Sequence, residues 1–300
     1  MRALFTPRLH SRSSVAARLL SAATAAFVCV ATSCAPLRGL AADANRLQCQ
    51  LRPSPVERRV IPEVPGIESA CSAGTIVYIV PAESGPKGGV VLVDAGFDES
   101  GAPIKEALRG RRVLAILLTH GHLDHRAAAH QFDAPVYVGR GDVALMAGER
   151  TSKAPIAVLG DVVGVPPLPK VLIPVDDGFT LVVGDKTFRA VALPGHTPGS
   201  TGWLLGRVMF SGDAVQGPLA DNIYPAPPYV SDDIHLAYES LRKLELLDVD
   251  TILDAHFGRL DHVKRFLPAA LARSHDELQI GEQPVVRPQG CREGDVVPPH

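Results

Sequence analysis

The chain predicts an α/β fold, on three observations. Short, wholly apolar runs of strand length recur through the middle of the 300 residues, leucine-bearing segments with helical spacing separate them, and four strand-like runs end in loops that carry histidine or aspartate. An apolar run without alternation reads as a strand covered on both faces, the situation of a sheet flanked by helices. In such sheets ligands gather just beyond the carboxyl ends of the strands, so the fold class already indicates where chemistry would sit.

In chain order, residues 75–80 and 89–93 read as strands around the turn-forming Glu83-Ser84-Gly85-Pro86-Lys87-Gly88. A short helix is expected at 104–108, and Val113-Leu114-Ala115-Ile116-Leu117-Leu118 is a buried strand. A helix over 126–131 then begins at the Asp124-His125 pair, followed by a strand at 136–138 and a helix at 143–146. Gly184-Asp185-Lys186 between 181–183 and 187–191 signals a hairpin, and 203–205 pairs with 208–210 around Gly206-Arg207. Residues 234–247 have helical periodicity, with Leu236, Leu241, Leu244 and Leu247 assigned to the core; 251–253 is a strand and 262–271 a last helix. Two long Pro-rich stretches, 150–169 and 216–231, adjoin elements that carry ligand candidates and are expected to shape a pocket. In the second, Tyr224 and Tyr229 offer a hydroxyl for a carbonyl or an apolar wall, against the commoner role of packing the loop.

The ligand candidates are His120, His122, Asp124 and His125 in Thr-His-Gly-His-Leu-Asp-His, then His196 in Leu-Pro-Gly-His-Thr-Pro-Gly-Ser, Asp213 in Phe-Ser-Gly-Asp, and His256 in Asp-Ala-His-Phe-Gly. A lone loop histidine is usually solvated or hydrogen-bonded, and the other six (His10, His130, His235, His262, His275, His300) are read that way. Four candidates within six residues, at a strand end where Gly121 permits a sharp turn, are a different signal. Imidazole and carboxylate donors suit zinc, iron or manganese, and with no cysteine near any of these segments a thiolate-rich structural zinc site is disfavoured.

Those residues, with Val91-Leu92-Val93-Asp94-Ala95-Gly96, resemble the metallo-β-lactamase superfamily of metallohydrolases over about residues 70–270. The resemblance implies a four-layered αβ/βα sandwich, which periodicity alone does not give. It implies two divalent metal ions, zinc first and iron or manganese as alternatives: one on His120, His122 and His196, the second on Asp124, His125 and His256, with Asp213 bridging. Two cations a few ångströms apart acidify a shared water towards neutrality and polarise a carbonyl or phosphoryl oxygen. Asp124 is the expected catalytic acid, protonating the leaving group. Asp94 is expected as the acceptor that orients a ligand imidazole, or as a turn former, rather than as a ligand. Asp213 together with the Asp124-His125 pair resembles the glyoxalase II, lactonase and phosphodiesterase groups more than lactamases with cysteine at that position. Only about forty residues follow His256, so glyoxalase II's long glutathione-binding domain is expected to be absent or truncated, and Gln216 stands where acyl-homoserine lactonases tend to have tyrosine. Arg259, Lys264 and Arg265 are read as solvated helix charges rather than an anion site. The expected activity is hydrolysis of an ester, thioester or lactone of a small molecule. The alternatives are a β-lactamase, a mononuclear iron persulfide-type dioxygenase on His120, His196 and Asp213, and a non-catalytic binding protein on the same fold.

A formal charge of −2, without a Lys/Arg stripe interleaved with aromatics, offers nothing to nucleic acid. The N-terminus reads as an export signal: Arg2, Arg8, Arg12 and Arg18 precede a short apolar core at 19–30, too short for a membrane span, and Ala42-Asp43-Ala44 fits a cleavage site. The expected organisation is a signal peptide at 1–44, a Pro-rich lead-in at 45–69, one domain at 70–275 and a tail at 276–300, with an exported mature chain and no membrane span. Ala31-Thr32-Ser33-Cys34 resembles a lipoprotein box with Ala in place of the usual Leu, which makes a lipid anchor on Cys34 the alternative. In an oxidising compartment Cys49, Cys71 and Cys291 would give one disulfide and one free thiol, with three unpaired thiols a comparable expectation.

Overall fold

The apolar runs build two six-stranded sheets. A computed structural model of the chain describes residues 66–154, 157, 165–217 and 223–280, with 274–280 as backbone alone. The expected signal segment, nearly all of the lead-in, the cysteines other than Cys71, the centres of both Pro-rich loops and the tail beyond 280 lie outside the described residues.

The first sheet has the order β1 (Glu68–Ser72), β2 (Thr75–Pro81), β3 (Val90–Val93), β4 (Val113–Leu117), β5 (Val136–Gly139), β6 (Leu172–Val175). Its first three strands are antiparallel, and β3 to β6 run parallel. In the second sheet β7 (Thr180–Val183), β8 (Lys186–Ala192), β9 (Thr201–Leu205) and β10 (Val208–Gly212) form an antiparallel meander. β11 (Thr251–Asp254) joins β10 in parallel, and β12 (Arg259–Asp261) closes that edge.

Period-two alternation gives the central strands two buried faces. Tyr78, Val80, Val91, Val93, Ala115 and Leu117 point between the sheets, against Phe188, Ala190, Trp203, Phe210 and Leu253. Val77, Ile79, Leu92, Ile116 and Leu118 point the other way, beneath Ile104 and Leu108 of α1 (Ala102–Leu108) and Met146 of α3 (Val143–Met146). Across the molecule Val191, Met209 and Ile252 pack against Leu241 of α4 (Ile234–Arg242) and Leu267 of α5 (Val263–Ile280). The layers are thus helix, sheet, sheet, helix, the αβ/βα sandwich that the resemblance implied.

Four hydrogen bonds stitch the sheets together beside the ligand loops: Trp203 Nε1 to the Leu118 carbonyl (3.0 Å), Thr201 N to Thr119 O (2.7 Å), Tyr78 Oη to Asp254 O (2.7 Å) and Ile76 N to Ala255 O (2.7 Å).

Some expectations need correction. The helix expected at 126–131 is one turn, α2 (Leu123–Arg126), then a separate 3-10 turn at Ala129–Gln131. The 234–247 helix likewise ends at Arg242 and continues as 3-10 turn over Lys243–Leu246. Leu236 is 41% exposed rather than core, because α4 turns Ala237, Tyr238, Ser240 and Leu241 inward. α5 runs to Ile280, past the expected end of the last helix at 271.

Candidate metal centre

All seven ligand candidates converge at the strand ends. His120, His122, Asp124 and His125 follow β4, His196 follows β8, Asp213 follows β10 and His256 follows β11. Thus four come from the first sheet and three from the second.

His120 Nε2, His122 Nδ1 and His196 Nε2 form a triangle with sides of 3.1, 2.9 and 3.1 Å. Three ring nitrogens this close cannot all be paired by protons. Nitrogens on one tetrahedral zinc, at about 2.0–2.1 Å from it, would stand roughly 3.3 Å apart, so the triangle fits a cation. The remaining ring nitrogens set the tautomers. His122 Nε2 lies 2.8 Å from Ser152 Oγ, which leaves the Nδ1 lone pair for the centre, and His120 Nδ1 lies 3.2 Å from Thr119 Oγ1.

The second group is mixed. His256 Nε2 stands 3.5 Å from Asp124 Oδ2 and 3.2 Å from Asp213 Oδ1, while His125 Nε2 stands 3.5 Å from each of those oxygens. Asp213 faces both groups: Oδ1 points to His125 and His256, and Oδ2 lies 3.7 Å from His196 Nε2. His125 Nε2 and Asp213 Oδ1 are buried without a hydrogen bond, which an ion between them would satisfy. Asp94 takes the orienting role: its Oδ2 is 2.8 Å from His125 Nδ1, and its Oδ1 accepts from Thr119 N at 2.8 Å. Gly212, at φ 54°, lets the chain pass Thr119, since a Cβ there would fall 2.2 Å from Thr119 Oγ1.

Charge separates the groups. Burial, then neighbouring imidazoles, holds His120 and His196 well below the usual histidine pKa. Burial also opposes charge on His125 and His256, but Asp124, Asp94 and Asp213 carry the first to about 9, and Asp213, Asp124 and Asp254 carry the second to about 10. Asp213 is held far below the ordinary carboxylate value against its burial, by His256, His125 and His196.

Sequence reasoning passed over four supporting residues. Asp254 Oδ1 accepts the backbone N–H groups of His256 (2.8 Å), Phe257 (2.5 Å) and Gly258 (3.2 Å), and Oδ2 that of Gly217 (3.0 Å), shaping the His256 turn. Asp232 joins Arg150 through its side chain, accepts Lys153 N at 2.7 Å and gives its own N–H to the His196 carbonyl at 3.0 Å. Ser152 therefore meets His122 from a loop anchored to the His196 turn. Asp142, the fourth, bonds to the loops of both His122 and His196. A lone acid in a turn is usually solvated, so no local signal marks these residues.

Among the residues proposed to line the site, Tyr224 lies with the Arg273 guanidinium 4.7 Å over its ring, and Tyr229 is 54% exposed. Of the three cations read as solvated helix charges, Arg259 stands instead on β12 and pairs with Asp261, while Lys264 donates to the Leu244 and Glu245 carbonyls and Arg265 lies 5.6 Å over Phe266.

Comparison with known proteins bears on the family and the fold. The probable metallo-hydrolase YflN of Bacillus subtilis (strain 168) is 31% identical over 210 residues, 60% of this chain and 79% of that one. A hydroxyacylglutathione hydrolase of Yersinia pestis (strain Pestoides F) is 28% identical over 200 residues, 64% of this chain and 66% of that one. In fold, the chain is similar to the archaeal metallo-beta-lactamase superfamily protein ST1585 of Sulfolobus tokodaii, with a TM-score of 0.54 and 20% identity over 76% of this chain and 91% of that one. It is similar also to metallo-beta-lactamase SMB-1, with a TM-score of 0.54 and 20% identity over 72% and 94%. Residues 71–283 match the family model of the metallo-beta-lactamase superfamily, and with two sheets delivering histidines and aspartates to one seam, the chain belongs to that superfamily as a metal-dependent hydrolase.

Proposed function

We propose that this protein is an exported hydrolase with two metal ions, zinc first, which cleaves an ester, thioester or lactone of a small molecule. The observation that carries the two-metal reading is Asp213, one oxygen towards each group of ligands. A mononuclear centre on His120, His196 and Asp213 leaves the convergence of Asp124, His125 and His256 within one ligand sphere without a purpose. Bound there, divalent cations supply an acidified water and polarise the scissile carbonyl.

The chain's own residues do the rest. Asp94 and Ser152 hold His125 and His122 in single orientations, so the Nε2 of the first and the Nδ1 of the second point inward. Asp124 has a side chain 34% exposed, beside a His125 that is fully enclosed, and so is the carboxyl group placed to pass a proton to a leaving group arriving from solvent. The Pro-rich stretch 216–231 contains aspartate but no lysine or arginine, and 150–169 has only Arg150, which pairs with Asp232, and Lys153; so few cations support an uncharged small-molecule substrate over a polyanion.

Export is supported by the basic-then-apolar N-terminus and by Cys71, which is disulfide-bonded, a state that persists in oxidising compartments. Among the described residues no helix is long and apolar enough to cross a membrane.

The test is an assay of purified protein, metal-loaded and chelator-stripped, on one panel of lactones, thioesters, carboxylic esters, β-lactams and phosphodiesters. Metal-dependent turnover of a lactone, thioester or ester is expected. Turnover confined to β-lactams or phosphodiesters would overturn the substrate class, and full activity with one equivalent of metal would overturn the two-metal reading.

A further inference from the structure

Asp142 is a buried carboxylate outside the ligand set, in the 3-10 turn Arg140–Asp142 that follows β5. Oδ2 accepts from Gly121 N and from Thr197 Oγ1, both at 2.7 Å, and Oδ1 accepts from Gly199 N at 2.8 Å. Gly121 lies between His120 and His122, while Thr197 follows His196 directly. One side chain therefore ties the ligand loop of the first sheet to that of the second.

The fit around it is close. A Cβ on Gly199 would fall 2.5 Å from Asp142 Cγ, one on Gly141 2.6 Å from the Pro198 carbonyl carbon, and one on Gly139 1.9 Å from Gly199 O. Three glycines thus let the β5 turn lie on the His196 loop backbone to backbone. Arg126 Nε donates to the Gly121 carbonyl at 2.7 Å, so the residue linking His120 to His122 is gripped at both ends. Burying a carboxylate is costly unless its oxygens find donors, and here three donors from two loops compensate that cost only while both loops are in place.

We propose that Asp142 is a positioning residue that sets the spacing of His120 and His122 from His196, and through it the metal affinity of the three-histidine half. This rests on the reading of those histidines as metal ligands. His122 and His196 are 74 residues apart in sequence yet their nitrogens stand 2.9 Å apart, a separation that the intervening chain does not enforce. Asparagine at 142 places an amide NH₂ opposite a backbone N–H, of either Gly199 or Gly121. Donor then faces donor, and one loop backs away.

The experiment uses the full chain with Asp124→Ala and His256→Ala, which leaves only the three-histidine half intact, with and without Asp142→Asn. Zinc is titrated against a competing chelator. Asp142→Asn is expected to weaken zinc binding by about 10–100-fold, the usual range for a partner that orients metal ligands. The metal-free protein should stay folded with a lower melting temperature, and the visible absorption of bound cobalt(II) should change. Thr197→Val, which removes one of the three donors, is expected to give a smaller loss in the same direction. Unchanged zinc affinity in a folded Asp142→Asn chain overturns the proposal; if that chain does not fold, unchanged affinity in Thr197→Val does so. Failure of the background itself to bind zinc would overturn the ligand reading and this inference with it, an outcome distinct from either.

Discussion

The two halves of the centre share histidine and differ in what surrounds it. In the three-histidine half, burial and mutual repulsion keep His120 and His196 neutral, so lone pairs already face inward. In the other half, carboxylates hold protons on His125 and His256 at neutral pH, where a cation would otherwise sit. The first half is prepared for a metal, whereas the second is occupied by protons that a metal must displace.

The most forceful way to break this comparison is to remove a ligand from each half. His122→Ala and Asp213→Ala are both expected to lower kcat/KM by several orders of magnitude; metal content should fall by one ion in the first and towards none in the second, where both halves lose an oxygen. Elemental analysis beside the assay checks this. Asp94→Ala comes next: by depriving His125 of its acceptor it should weaken metal binding in the mixed half by about 10–100-fold and spare the three-histidine half. Equal losses in both halves, followed by cobalt(II) absorption, would contradict the division.

The pH response of the metal-free protein sharpens the contrast. His125 and His256 have folded pKa values raised to about 9 and about 10, so the stability that they contribute is complete below the ordinary value of 6.5 and lost as pH rises through 9 and 10. His120 and His196 are lowered, so their contribution is present above 6.5 and lost as pH falls below it. Melting temperature should therefore fall on both sides of neutrality, and bound metal should flatten the alkaline side. Ser152→Ala is the mildest test. The ring of His122 keeps its place by packing, so a loss of a few-fold in metal affinity is expected, confined to the three-histidine half and read by the same chelator competition.

The ligands were legible because each closes an apolar strand, a pattern that survives without knowledge of the partners. The strands that escaped notice lie at or beside sheet edges. β1 reads Glu-Ser-Ala-Cys-Ser and is recruited by pairing with β2 across the tight Ala73-Gly74 turn, both residues at positive φ. β6 contains Pro174, which argues against a central strand and is tolerated at an edge; β12 is three residues long and carries two charges. Edge strands are short and polar for good physical reasons, and that erases their sequence signal. The supporting carboxylates Asp142, Asp232 and Asp254 escaped for another reason. Their partners are backbone N–H groups and distant turns, which no spacing of residue types announces.

The seam between the sheets has a consequence for how the molecule comes apart. Four ligand candidates ride on the first sheet and three on the second, and among the described residues the chain crosses from one to the other once, between β6 and β7. A chain severed at that crossing would yield two fragments, neither holding all the donors of either ligand group. Metal is then a clasp as well as a reagent: whatever binds only the closed form adds RT ln(1 + [M]/Kd) to its persistence. Prising the sheets apart would release bound metal, and chelating that metal would loosen the sheets.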